Sequence, residues 1–445
     1  MLLRLREKLT QATPIAPLIT FRILFGLLMM VGAIRFMQQG WIERLYLQPE
    51  FFFKYFGFEW VQPLSESGMY VLLGVIALSA GLVAVGLFYR AAILVFFCSF
   101  TYLELIDATN YLNHYYLVIL LAFLLLFLPA NRAFSLDARL GLVEKKSQVP
   151  RWTILILIAQ LSIVYTCAGI AKINPDWLFR AMPLKVWLAE RTELPVLGTF
   201  FKFSIAPYIF SWAGMLYDVS IAYFLLNKKT RPFAYLAVIV FHLTTKILFN
   251  IGLFPLIMIT STLIFFPAET HQRLLGYIGY KTPNVHTSWN PGPFVSKSLA
   301  GIFALYFSVQ VFMPFRHYLY PGNVLWTEEG YRFSWRVMLV EKHGMCTFTV
   351  KDEKTGRTQE IVNGNYLNVF QEKQMCIQPD FILQFAHHVA AEYQTKHGFQ
   401  NPEVYVQAYV ALNGRTSQPF IDPKVNLAQI KDSFAPKSWI IKQNF

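Results

Sequence analysis

The sequence predicts a polytopic α-helical membrane protein with about nine transmembrane helices and a C-terminal extracytoplasmic α+β domain. Three observations carry this. Of 445 residues, 55% are hydrophobic and only 15% are charged, where a soluble chain is about a quarter charged. The apolar residues cluster in runs of about 20, the length that crosses a bilayer's hydrocarbon core, and mean hydropathy is +0.40. Near residue 315 the charge density rises and the patterning becomes that of a soluble domain.

Nine apolar spans are expected at about 17–37, 68–89, 91–109, 112–129, 152–173, 207–226, 231–250, 252–267 and 298–314. The eighth is short, and the third carries Glu104 and Asp107 near its end. The start, MLLRLREKLTQATP, is basic and short of apolar length, with no small-residue cleavage site after it. The first span is therefore expected to act as both signal and anchor.

Loop charges set the orientation. Arg4, Arg6 and Lys8 precede span one, and Arg132, Arg139, Lys145, Lys146 and Arg151 follow span four. Lys228, Lys229 and Arg231 follow span six, and Arg273, Lys281 and Lys297 follow span eight. All fall on one side if the spans number nine. The opposite turns at 110–111 and near 251 carry no Lys or Arg, and the 174–206 loop mixes both signs. The N-terminus is expected in the cytoplasm. An odd count puts 315–445 outside, in a bacterial periplasm or exterior, or in the ER lumen if the source is eukaryotic. The net charge of +13 is assigned to cytoplasmic loops facing anionic membrane lipid. No basic patch with interleaved aromatics is present, which excludes nucleic acid as a partner.

In the outer segment, TFTVKDEKTGRTQEIV reads as a hairpin, and PEVYVQAYVALNGRTSQPF as a strand, an Asn-Gly turn and a return strand. PDFILQFAHHVAAEYQTKHG has helical spacing between a Pro start and a Gly stop. Cys346 and Cys376 lie in this oxidising compartment, and a disulfide between them is expected. There is no Walker loop, no GxGxxG after a strand, no HExxH or other metal-ligand spacing, no CxxC, and no internal repeat of transporter type.

Polar residues inside spans are functional candidates. Asn113 and His114 open span four, Lys172 closes span five, Asp218 is mid-span six, and His242 and Lys246 lie late in span seven. The expected topology puts His114, Lys172, His242 and Lys246 at one level near the outer face, with Asp218 deeper. Each has a simpler reading: a cap for His114, snorkelling for Lys172 and Lys246, a buried partner for Asp218, a structural histidine for His242. A desolvated lysine has one use that a surface lysine lacks, because its neutral amine is a base. His114 could orient that proton transfer, and the lipid setting suits a quinol substrate. Lys172 and His114 are expected to line one cavity open to the outer leaflet.

The chain resembles the vitamin K-dependent γ-glutamyl carboxylases along nearly its whole length. FRILFGLLMM, NHYYLVILLAF, IVYTCAGIAKINPDW, FHLTTKILFNIGLFP, LWTEEGYRFSWRVML and IDPKVNLAQ carry the resemblance in order. It implies that residues 1–314 form the catalytic HTTM-like domain and that 315–445 contribute peptide-glutamate binding. Lys172 matches the base that deprotonates reduced vitamin K, supported by Asn113 and His114. Tyr165, Asp218 and His242 are placed in quinol binding, and Tyr331, Ser334 and Trp335 in handling the glutamate. Trp335 is expected where the outer domain meets the cavity. The co-substrates implied are a phylloquinol or menaquinol, oxygen and carbon dioxide, with no metal, biotin or ATP. The partner implied is a glutamate-containing peptide or protein. A monomer is allowed, and the oligomeric state stays open.

The chain departs from the animal pattern in having Ala171 before Lys172, and at Gly330, Arg332, Phe333 and Arg336. It ends at Phe445, well short of the animal enzymes, which suggests a bacterial member. Two other readings stand beside carboxylation: a quinol epoxidase or oxygenase without it, and a non-catalytic transporter or scaffold.

Overall fold

The computed structural model describes residues 7–249, 251–282 and 287–443. Helices lie over all the apolar runs. They are α1 (Ala16–Gln38), α2 (Glu66–Val85), α3 (Tyr89–Leu105), α4 (Asn113–Phe127), α5 (Trp152–Ala171), α6 (Ala206–Leu226), α7 (Arg231–Leu248), α8 (Phe254–Thr262) and α9 (Pro293–Phe315). Among the described residues, six are long and apolar enough to cross a membrane: α1, α2, α5, α6, α7 and α9. The other three are shorter, at 17, 15 and 9 residues. The expected count of nine crossings therefore divides into six full-length helices and three short ones.

Local chemistry sets the ends. Pro sits in the first turn of α1, α6, α7, α8 and α9, where its missing N–H costs nothing. Ser65 caps α2 by accepting from the Gly68 N–H at 3.3 Å. Two helix pairs touch backbone to backbone. A Cβ on Gly26 of α1 would lie 2.5 Å from the Ala84 nitrogen of α2, and one on Gly169 of α5 would lie 2.4 Å from the Val219 nitrogen of α6. Only glycine permits either approach, the usual device of helix packing in lipid. Arg22, which the sequence reading passed over, is buried in α1 and donates to the Ala130 and Phe134 carbonyls at 2.9 and 2.6 Å.

The C-terminal region holds a four-stranded antiparallel sheet of β1 (Lys342–Asp352), β2 (Thr358–Ile361), β3 (Pro402–Leu412) and β4 (Gln418–Pro419), in the order β2-β1-β3-β4. Phe348 pairs with Ile361 on one side and with Val406 on the other. Helix α10 (Pro379–Lys396) buries Phe381, Phe385 and Val389 with Phe348, Val350, Val404 and Val406. Cys346 and Cys376 are disulfide-bonded, with Cα atoms 5.5 Å apart.

Side chains of this region hold it to the membrane helices. Gln371 donates to Asp107 at 2.9 Å, and Gln384 exchanges two hydrogen bonds with the Lys54 backbone. Asn413 and Arg415, in the turn after β3, grip Asp176 just beyond Lys172. Burial works to raise the Asp176 carboxyl, but the Arg415 and Asn413 hydrogen bonds outweigh it and hold it below the usual carboxylate range.

Candidate functional site

The glycine contact builds the site. Because Gly169 lets α5 lie against α6, Lys172 at the α5 C-cap meets Asp218, the residue before Val219. Lys172 Nζ donates to Asp218 Oδ2 at 2.8 Å, and the two are 5% and 6% exposed. The ammonium also lies 5.3 Å from the Trp177 ring centroid. The indole N–H of Trp177 donates to the Ser211 carbonyl at 2.7 Å, which fixes that ring against α6.

This pair opens on a cavity of about 520 Å³ whose walls include Val164, Leu248 and Met258. Tyr165 and His242 line the same cavity. The Tyr165 hydroxyl lies 3.2 Å from His242 Nε2 and 3.3 Å from Thr262 Oγ1, and His242 Nδ1 is buried without a partner. Four of the expected residues thus gather from α5, α6 and α7: a cation, its carboxylate, a phenol and an imidazole.

Three expectations are corrected here. Asp218 is not deeper than Lys172 but bonded to it, because the two helices touch at Gly169. Lys246, one turn beyond His242 on α7, is exposed and lines none of these cavities. Lys172 and His114 do not share a cavity. His114 and Asn113 line a second one of about 580 Å³, with Glu104. Ile251, Phe254, Val337 and Met338 line both and form the wall between them. The Phe254 ring centroid is 5.6 Å from the His114 ring and 5.7 Å from the His242 ring. Asn113 accepts from the Tyr111 hydroxyl at 3.1 Å, and that hydroxyl accepts from the Phe333 N–H at 2.9 Å.

Tyr331, Ser334 and Trp335 lie on a strap that runs along the helices before β1. Glu328, Phe333, Trp335 and Met338 all have φ between 58° and 62°, which costs about 1 kcal/mol or more at each non-glycine residue. Gly330 is required by contact, since a Cβ there would lie 2.8 Å from the His317 Cα. Trp335 is 1% exposed and stacks on Tyr116 of α4, 5.1 Å between centroids. It belongs to the core of the membrane helices and lines none of the cavities described here. Tyr331 is half-buried, and its carbonyl accepts from the Ser334 hydroxyl. Ser334 faces a third cavity, of about 590 Å³, with His317, Arg336 and Arg180.

A family model of the HTTM domain matches residues 10–269, more than half of the chain. A model of the vitamin K-dependent gamma-carboxylase lumenal domain matches residues 295–444. The chain belongs to the vitamin K-dependent gamma-carboxylase family. Membership implies vitamin K hydroquinone as the reductant and glutamate-containing substrates. The gamma-carboxylase lumenal-domain match begins inside α9, so that helix goes with the sheet in the family's own division. No solved structure matches the chain. Among the described residues, no three His, Cys, Asp or Glu side chains gather to hold a metal ion.

Sequence reasoning missed Gly169, the partition residues and Arg336. One signal for Gly169 was available: a small residue one turn before a buried lysine marks a close helix contact.

Proposed function

We propose that this protein is a quinol-dependent γ-glutamyl carboxylase, coupling oxidation of reduced vitamin K to carboxylation of peptide glutamate. The observation that carries this reading is the buried Lys172–Asp218 pair facing an apolar cavity. The cavity fits an aromatic diol with an apolar tail: its volume is in the range of small-molecule sites, its walls are apolar, and its polar end offers donors and acceptors. His242 Nδ1, buried without a partner, is one of these.

When bound, reduced vitamin K supplies the reducing electrons and, with oxygen, a base strong enough for the glutamyl γ-carbon. The chain's own part is to hold and move protons. Lys172 takes a phenolic proton from the quinol. Asp218, hydrogen-bonded to Lys172 Nζ at 2.8 Å, holds the amine in place and is the group to which its proton passes. Tyr165 and His242 orient the second oxygen of the diol and exclude water. Asn113 and His114 act as positioning residues from across the wall, His114 through Phe254 and Asn113 through Tyr111 and the strap.

The same reading takes α1 to α9 as nine crossings, with residues 1–314 as the catalytic domain. The N-terminus is then cytoplasmic and residues 315–445 are extracytoplasmic. Quinol epoxidation without carboxylation is favoured by one observation: of Tyr331, Ser334 and Trp335, only Ser334 faces a cavity, and it is not that of Lys172.

One assay decides. Purified protein in nanodiscs receives reduced vitamin K or menaquinol, oxygen, labelled bicarbonate and a glutamate-rich peptide, beside Lys172→Ala. Label and epoxide, both lost in the variant, are expected. Epoxide without label selects the second reading, and both products persisting in Lys172→Ala would overturn the role of Lys172.

A further inference from the structure

The third cavity contains an arginine that no carboxylate among the described residues contacts: Glu328, whose field favours its charge, is itself paired with Lys342. Arg336 is 8% exposed. Its Nη2 donates to His317 Nε2 at 2.9 Å, and its Nε is buried without a partner. No Asp or Glu among the described residues forms an ion pair with it. His317 does not supply the missing charge. Its Nδ1 lies 3.0 Å from the Pro314 carbonyl and donates to it, so Nε2 is the acceptor and the ring is neutral. The one carboxylate lining the cavity, Asp176, is held by Arg415 and Asn413, with Arg180 at 3.4 Å. Three guanidiniums therefore face about 590 Å³ of space with one carboxylate among them. A buried charge without a partner costs several kcal/mol, and a ligand anion removes that cost.

We propose that this cavity binds a carboxylate of the acidic peptide substrate, with Arg336 as its anchor. The identity of the peptide rests on the carboxylase reading. The position favours a peptide over a lipid phosphate. Ser334 and Arg336 line this cavity, and the next two residues, Val337 and Met338, line that of Lys172. Ala171 and Lys172 divide in the same way. The two cavities flank one turn of helix and the strap, a partition about 10 Å thick. An extended peptide covers that in about three residues. One acidic side chain is held at Arg336 while a glutamate about three residues away enters the Lys172 cavity.

The test is direct binding. Fluorescent peptides carrying Glu-Ala-Ala-Glu, and versions with Gln at one end, are titrated by anisotropy onto the full chain in phosphatidylcholine nanodiscs. The wild type is expected to bind the two-glutamate peptide about tenfold more tightly than the one-glutamate peptides, the usual worth of a charge-assisted hydrogen bond. Arg336→Gln is expected to erase that preference by weakening the two-glutamate peptide to the affinity of the one-glutamate peptides, with Arg336→Lys between. Equal affinities in the wild type overturn the proposal without any variant, so misfolding of Arg336→Gln cannot hide the answer. An equal loss for all peptides makes Arg336 structural and also overturns it. Release of the two-glutamate peptide by phosphatidylglycerol nanodiscs, with no preference between peptides, assigns the cavity to lipid. Label incorporation is read separately. A preference without carboxylation leaves the anchor standing and sinks the carboxylase reading; carboxylation without a preference does the reverse.

Discussion

Gly169→Ala places a methyl group where α5 and α6 touch. The added Cβ would lie 2.4 Å from the Val219 nitrogen and 2.8 Å from its Cα, both backbone atoms, against an ordinary contact of at least 3.4 Å. No rotamer relieves this, so the helices must part by about 1 Å, the difference between those distances. Asp218 precedes Val219 and moves with it. The 2.8 Å bond from Lys172 then stretches to about 3.8 Å, beyond hydrogen-bond range. Overpacking costs about 1–3 kcal/mol of stability. A catalytic group misplaced by about 1 Å costs on the order of 100-fold in rate, or about 2.7 kcal/mol of barrier. The assay is the initial rate of label and epoxide formation in nanodiscs, with a thermal melt alongside. Gly74→Ala is the control, since nothing lies within 4 Å of a Cβ there; it is expected to keep full rate. A Gly169→Ala protein that keeps its rate within twofold would refute the claim that this contact sets the site.

Two further outcomes are expected. Asp218→Leu strands Lys172 as a buried charge and should destabilise by about 3–5 kcal/mol, while Asp218→Leu combined with Lys172→Met should recover most of that stability and no activity; a single variant as stable as wild type argues against the pair. The Asp176 carboxyl is depressed in the folded chain, so its contribution to holding the C-terminal region is complete above its unfolded value of about 4 and is lost as pH falls through the lower folded value. Asp176→Asn should therefore flatten the fall in melting temperature below about pH 4 and leave the slope between pH 5 and 8 unchanged, and an altered slope at neutral pH would contradict it.

Helices and strands were legible because their signals are local. Apolar runs of bilayer length mark α1, α2, α5, α6, α7 and α9. Pro and Gly bound α10, and the Asn-Gly turn precedes β4. Lys172, Asp218 and His242 were also singled out in advance, because a polar group in an apolar run stands out whatever surrounds it, whereas Tyr165 came only from the family resemblance.

Which of these side chains meet was another matter. A helix turns about 100° per residue, and one that is apolar on all sides carries no mark of which face its neighbours cover. The rotation of each helix is set by contacts with others, such as Gly169 against Val219. From sequence, His114 and Lys172 share a level. In the structure, Phe254 and the strap divide them. The unpaired charge of Arg336 was equally invisible, since in the sequence it lies among acids and bases that could have paired with it. Composition and run length determined that this chain is a membrane protein with ionisable groups inside it. Tertiary packing alone decided that Lys172 faces Asp218 and that Arg336 faces an open cavity, because burial and pairing are properties of neighbours distant in sequence.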